Sequence, residues 1–465
     1  MRWEAWGIGG YVLVMLGFGA WVSRRIKTDA DFFLAGRSLG PVIATFSVFA
    51  TWFGAETCIG AAGEVYREGL AGAHADPLAY GACIVLMGLF LARTLWERQI
   101  TTIPDLFRRR WTPGLERAGA LIMLPSSILW AGAQIRAFGE IISSTTPFDP
   151  ASAITAAAVV VVCYTVAGGL MADAYNDLIQ GIAIAVGLSL LLFTAFDVLG
   201  GARAAFAAVA PARWDLFHAP AGLSWWGNLE RWLVPVVGSL VAQELVSRVV
   251  ASRSAKVAVR STILAAVLYL VIGSMPVILG LLGPQLLPGE AGGDALLPLL
   301  AQKFLPPALY VVFIGALIAA ILSTVDSTLL AVSALATHNL IYPLFPRLDE
   351  RHKVICARSG VAIGGLIAYG IAFSSESVSG LVETASGLGG PTILVMTLFA
   401  LTRWGNHLSA WCAMVGSLIA WLAGQWITME APVLFTVTVG FLGYAGSLPF
   451  VSRPTLAPSR TEGAS

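Results

Sequence analysis

Charge is what this 465-residue sequence has least of: Asp, Glu, Lys and Arg together make 12%, about half the share of an average soluble domain. The 28 basic and 27 acidic residues leave a net charge of +1. No basic field exists to hold a nucleic acid, and no acidic field to hold a basic partner. Cysteine is scarce as well. Cys58, Cys83, Cys163, Cys356 and Cys412 lie in or at the ends of apolar runs with no CxxC spacing, so neither a disulfide framework nor a zinc site is expected. The five histidines are scattered, and no HExxH or GxSxG accompanies them. The common hydrolase arrangements are therefore absent, and neither an enzyme nor a cofactor other than a coupling ion is expected. No GxxxxGK[ST] occurs, which removes an ATP-driven pump.

What the sequence has is apolar length. Hydrophobic residues make 57% and the mean hydropathy is +0.79. A membrane-spanning helix needs about 20 mainly apolar residues. About thirteen such stretches occur, at roughly 4–23, 41–66, 76–95, 116–143, 150–168, 175–198, 228–249, 259–284, 294–340, 353–374, 379–402, 407–427 and 431–450. The ninth is too long for one span. Pro306-Pro307 predicts a short helix and loop before a span proper from about Leu309. The fold class is an all-α polytopic membrane protein, with residues 1–450 as one transmembrane domain and 451–465 as a short tail. Met1-Arg2-Trp3-Glu4 lacks a basic n-region and the run behind it lacks a small-residue cleavage site, so a retained first span is expected rather than a signal peptide.

Lysine and arginine set the orientation, because cytoplasmic loops collect them. Arg24, Arg25, Lys27 and Arg37 follow span one, and Arg93, Arg98, Arg108, Arg109, Arg110 and Arg117 lie between spans three and four. Arg248, Arg253, Lys256 and Arg260 follow span seven, and Arg347, Arg351, Lys353 and Arg358 follow span nine. The opposite side carries few. This predicts a multi-pass protein of the inner (plasma) membrane, N-terminus outside and C-terminus cytoplasmic, with the lipid bilayer as its surroundings.

Polar residues inside spans are costly and mark candidate sites. Span two carries Gly54, Glu56, Thr57, Gly60 and Gly63. These fit a glycine packing face or a helix unwound at mid-membrane to expose carbonyls; Glu56 favours the second. In span nine, Ala320, Ser323, Thr324 and Ser327 fall on one arc, with Asp326 about 60° beyond its edge at about 100° per residue. Such oxygen ligands suit a hard cation, although serine and threonine also bond their own helix. Asp177 stands in a polar, glycine-rich stretch that also fits a loop and helix N-terminus, with Asp173 or Asn176 as cap. Arg136 and Glu140 can pair one turn apart. Trp52, Tyr80 and Trp130 lie too deep for an interfacial belt, and either line a cation-accepting cavity or pack helices. Glu383 is a further buried acid. Proton coupling through Asp177 or Asp326, or a passive channel, are the alternatives to ion-coupled symport.

In order along the chain come FFLAGRSLG, ATWFGAETCIG, GGLMADAYNDLIQG, SRVVASRSAKVA and GALIAAILSTVDSTLLAVSALATHNLIY. Together they resemble the sodium:solute symporter family, from Asp31 through span ten. The resemblance implies a leucine-transporter-type core of two inverted five-helix repeats. It implies a sodium symporter importing a small organic solute by alternating access. The sodium site would use the carbonyls of Ala50, Phe53 and Ala320 and the hydroxyls of Ser323 and Thr324. Asp177, Asp326 and Ser327, with Ser323, would form a possible second cation site. Trp52, Tyr80 and Trp130 resemble three aromatics of the choline-transporting branch, while Ala242 and Val382 stand where that branch has tryptophans, Glu56 replaces a glycine and Glu383 is added. The expected substrate site is therefore Trp52, Glu56, Thr57, Tyr80, Trp130 and Glu383, taking a cationic or zwitterionic amine. Substrate and sodium are the expected small partners.

Overall fold

The computed structural model describes residues 10, 17–19, 21–145, 148–220, 222–288, 296–375 and 378–450. It is helical throughout; the isolated bridge between Leu39 and Ser252 is the one extended pairing among the described residues. The predicted first span and the tail from 451 fall largely or wholly outside the described residues.

The spans begin where the chain supplies caps and prolines. Pro41 opens α1 (Pro41–Trp52), because its fixed φ suits a first helical turn and its missing N–H would be unbonded there anyway. After a break, α2 runs Glu56–Glu97, then α3 Pro113–Thr145. Asp149 caps α4 (Pro150–Val198) by accepting from Ser152 N. Next come α5 (Trp225–Ser239) and α6 (Gln243–Val250), bent 47° from each other. Ser254 caps α7 (Ala255–Leu286). A short helix Leu296–Phe304 then precedes α8 (Pro307–Ala334), so the long ninth run divides at Pro306-Pro307 as expected. Helices α9 (Glu350–Ser374), α10 (Val378–Gly387), α11 (Gly390–Ala400), α12 (His407–Trp426) and α13 (Pro432–Ser447) complete the order.

Two of these helices fold back on themselves. Straight, the 49 residues of α4 would reach about 74 Å, more than twice the hydrocarbon core of about 30 Å. The chain instead reverses at Gly169, where φ is +55°, a conformation glycine adopts without strain. A Cβ on Gly168 would lie 2.5 Å from the Cβ of Ala172, against about 5–6 Å for such a pair on a straight helix. The loop and new helix cap read from this stretch are therefore replaced by a single-residue reversal. Neither Asp173 nor Asn176 caps a helix: Asn176 donates back to the Tyr164 hydroxyl across the turn. In α2 the reversal is at Gly69–Ala73, with Gly69 at φ +74°.

The interior is built by α1, α3, α4, α7 and α8, which pack on one another. The outward faces remain apolar: Leu89, Phe90, Phe193, Leu366 and Leu442 are exposed, as lipid contact requires. Trp225 and Trp226, at the start of α5, are exposed as well.

Candidate functional site

The site begins where α1 stops. Phe53 leaves helical geometry at φ −80°, ψ 63°. Gly54 N then donates to Trp52 O at 2.9 Å, and Ala55 N donates to Gln134 Oε1 at 3.2 Å. An unbroken helix would have sent those N–H groups to Ala50 and Thr51. The break thus releases the Ala50 carbonyl, and Thr324 Oγ1 on α8 approaches it at 3.4 Å. The same hydroxyl is 3.3 Å from Ala320 O. Its neighbours Ser327 and Thr328 bond their own helix at 2.7 Å, the usual O–H···O length. Thr324 stands off from both acceptors. Oxygens sharing a cation with bonds of about 2.4 Å are about 3.4 Å apart along an octahedral edge, and Thr324 Oγ1 stands from each of the two carbonyls at that spacing. Gly54 makes the approach possible: a Cβ there would lie 2.6 Å from Thr324 Oγ1.

Of the expected sodium ligands, Ala50, Ala320 and Thr324 therefore meet, and Phe53 lies at the helix end beside them. Ser323 donates to Asp177 Oδ1, while Ser47 on α1 donates to Asp177 Oδ2 at 2.6 Å. Asp177 thereby clamps α1 to α8. Asp326 points elsewhere on α8 and accepts from Thr165. Ser327 accepts from Arg248, which also pairs with Asp173. Asp173, Asp177, Asp326 and Arg248 are all at most 1% exposed. The sequence pattern had assigned Arg248 to a cytoplasmic loop. The structure buries it, because α6, bent 47° from α5, packs against α1 and α8.

Toward the other half lie the rings. Trp52 stacks on Tyr80, with centroids 5.7 Å apart and planes at 21°. Trp130 meets Trp52 edge-on at 5.7 Å and Tyr80 at 6.5 Å. Trp52 and Trp130 also line a cavity with Ser126, Gln243, Glu244 and Ser386. Thr57 donates to Asp76 Oδ2 at 2.8 Å, and Tyr269 donates to Asp76 Oδ1 at 2.7 Å. Glu56, partly exposed, has Gln134 Nε2 at 3.5 Å. Glu383 lies on α10, with its side chain outside the described residues. Arg136 and Glu140 form the expected ion pair at 2.9 Å.

Sequence reasoning missed Asp76, Tyr269, Asp173 and the burial of Arg248. Asp76 had a readable signal, an acid just before Pro77 at the head of an apolar run. Tyr269 had none, since a lone tyrosine in an apolar span is ordinary.

Near the arginine-rich ends of the helices, outside the spans, Asp105 accepts from Thr101 N at 2.8 Å, Thr102 N at 3.1 Å, Asn339 Nδ2 at 3.1 Å and His338 Nε2 at 3.1 Å. Burial works against its charge, yet the His338 side chain and the two backbone N–H groups prevail and hold the carboxyl down at about 2.

A broken span, carbonyls opposite helix hydroxyls, and a ring-lined cavity beside them define a class: a multi-pass secondary transporter. The family model for sodium:solute symporters matches residues 32–420, and the chain belongs to the sodium:solute symporter family. The human high-affinity choline transporter 1 is 29% identical over 81% of this chain and 69% of its own length. A high-affinity proline transporter of Bacillus subtilis is 26% identical over 96% of this chain and 97% of its own. A Na+-coupled sialic acid symporter in a substrate-bound outward-open state superposes with a TM-score of 0.82 at 20% identity, covering 97% of this chain and 98% of that one. The fold is the leucine-transporter type that the motifs implied.

Proposed function

We propose that this transporter couples the inward movement of sodium to import of a small cationic or zwitterionic amine by alternating access, with its N-terminus outside and its C-terminus cytoplasmic. The observation that carries the reading is Thr324 Oγ1 standing 3.4 Å from Ala50 O and 3.3 Å from Ala320 O, with Trp52 two residues beyond Ala50. One short segment of broken helix thus carries an ion ligand and a wall of the ring box, so ion occupancy and substrate occupancy bear on the same backbone. Sodium is held by the carbonyls of Ala50, Phe53 and Ala320 and the hydroxyls of Ser323 and Thr324. Asp177, with Asp326 and Ser327 nearby, forms the possible second cation site. Substrate lies against Trp52, Tyr80 and Trp130, with Glu56, Thr57 and Glu383 as polar partners. The kinship with choline transporters supports an amine, and the proline transporter keeps a zwitterion within the class.

The test is uptake by proteoliposomes together with thermal shift of the purified protein, using amines, amino acids, sugars and carboxylates in sodium or potassium. Amines should raise the melting temperature in sodium, since a ligand of the native state stabilises it as the logarithm of its saturation. Uptake that is unchanged when potassium replaces sodium would remove sodium coupling. Stabilisation by sugars alone would remove the amine.

A further inference from the structure

The cavity beside Trp52 and Trp130 has two kinds of polar group on its walls, those already bonded and those not. Ser126 donates to Ala385 O at 2.6 Å. Thr51 and Thr328 donate to carbonyls of their own helices, each at 2.7 Å. The Gln243 amide accepts from Ile103 N at 3.0 Å and donates to Thr101 O at 3.0 Å and Ser247 Oγ at 2.9 Å. These groups hold the walls together and have little left for a solute.

Three others remain. Trp52 Nε1 is buried with no acceptor, on a ring that is 7% exposed. An indole N–H can only donate, so it calls for an acceptor that the protein does not supply. Ser386, near the Tyr80 hydroxyl and 6% exposed, has its Oγ buried without a hydrogen bond of ordinary geometry. The third is Glu244 on α6, 8% exposed. Its carboxylate accepts from Ser127 Oγ at 2.8 Å, one neutral donor for about four acceptor positions. Arg248, one turn along the helix, directs its two terminal nitrogens to Asp173, Ser327 and the Glu244 backbone carbonyl. Among the described residues, no lysine, arginine or histidine forms an ion pair with the Glu244 side chain. One cavity thus presents donors without an acceptor and a carboxylate without a cation. A solute with a single pole meets one need and leaves the other buried and open, which is costly.

We propose that the transported solute is an amino acid: its ammonium donates to Glu244, and its carboxylate accepts from Trp52 Nε1 and Ser386 Oγ. This rests on the amine reading above and narrows it to a zwitterion that carries N–H groups. A quaternary ammonium has no N–H for Glu244. A simple amine has no acceptor for the indole.

The experiment is thermal shift and competition binding on the purified protein in sodium. The probes are glycine, alanine and 4-aminobutanoate, each beside its N-trimethyl form and its primary amide, with choline and butylamine as simple cations. In wild type, at least one amino acid should half-saturate at a concentration about tenfold or more below both its trimethyl form and its amide. Glu244→Gln should erase most of the preference over the trimethyl form and keep most of that over the amide. Trp52→Phe, which keeps a ring and loses the N–H, should do the reverse, and Ser386→Ala should act in the same direction as Trp52→Phe. Stabilisation by sodium alone reports that each variant is folded, and the wild-type ratios decide the matter even where a variant is not. Trimethyl or amide forms that bind as tightly as their amino acids would overturn the proposal. So would Glu244→Gln with both ratios unchanged, which leaves Glu244 as no more than a partner of Ser127. A response to choline or butylamine with none to the amino acids would overturn it and leave the amine reading standing. No response to any probe would remove the amine reading, and this inference with it.

Discussion

Two groups of acids lie near the break after α1, and they are built on opposite plans. The group of Asp173, Asp177 and Asp326 carries its own cation, Arg248, and its hydroxyl donors Ser47, Thr165 and Ser323 come from three helices. The group of Glu56 and Asp76 has neutral donors only, Thr57, Tyr269 and Gln134. The first is wired into the scaffold: its bonds tie α1, α4, α6 and α8 together. The second borders the ring box and open space. A buried charge must be matched by a fixed partner or by one that arrives. Under the proposed function, holding and ion coupling belong to the first group, and Glu56 of the second lies with the substrate.

The sharpest way to break that contrast is to remove the fixed cation. Arg248→Ala leaves Asp173 without its charge partner, with Asp177 and Asp326 also at no more than 1% exposure. Breaking a buried pair this way costs about 3–5 kcal/mol, so the variant should lose most of its thermal stability or fail to accumulate. Asp76→Asn removes a charge that has no fixed partner and should stay folded. If Arg248→Ala melts within a degree or two of Asp76→Asn, the two groups are not built on different plans.

Next in size is the ion trio between them. Thr324→Ala deletes a hydroxyl oxygen, and Gly54→Ala drives a methyl to within 2.6 Å of it. Both should raise the sodium concentration for half-maximal uptake by about tenfold or more, since losing one ligand interaction of about 1.4 kcal/mol already does so. Thr165→Val, which removes the donor to Asp326 on the far side of α8, should move it less. Equal shifts in all three variants would mean that sodium senses the whole helix rather than this one spot.

A smaller effect is expected at the rings. Cation–π contacts are worth about 0.5–2 kcal/mol, so Trp52→Ala should weaken an ammonium ligand by roughly 2- to 30-fold while sodium binding without substrate changes less. Should the identified substrate bind within twofold after both Trp52→Ala and Trp130→Ala, the rings are packing and the amine proposal loses its main support.

How far the sequence reached follows the same division. Spans were legible because lipid demands about 20 apolar residues in a row, and the divided ninth run was legible from two prolines. The break after α1 was legible from Gly54 and Glu56, because glycine and an acid together have no other easy reason to share mid-membrane. What was hidden is long-range. Arg248 reads as one more basic residue in a positive cluster until α6 packs against α1 and α8, and its partner Asp173 lies 75 positions away. The reversal at Gly169 was hidden for a different reason: a one-residue turn leaves no loop to see. Asp76 shows the intermediate case, with the acid itself visible but its Tyr269 partner 193 positions off.

The smallest expected effect is a pH dependence outside both groups, and it is useful because it isolates them. Asp105 is the buried acid outside the spans, and its folded carboxyl titrates at about 2 against an ordinary 3.8. A depressed folded value means that its contribution is fully present above the unfolded value and is lost only as pH falls through the folded one. The shift corresponds to about 2 kcal/mol while His338 carries its proton, fading between about pH 4 and 2. Asp105 in turn raises the His338 value above 6.5, so the charged part of the pair's contribution is also lost as pH rises through that raised value. Asp105→Asn should therefore lower the melting temperature most near pH 5 and less at pH 8, with the gap to wild type closing again in stronger acid. Uptake by wild type whose change between pH 8 and 5 does not follow this gap has its titrating group elsewhere than in the Asp105–His338 pair. Arg248→Lys, which keeps the fixed charge, and Asp76→Asn, which removes the unpaired one, then decide which of the two acidic groups moves the profile.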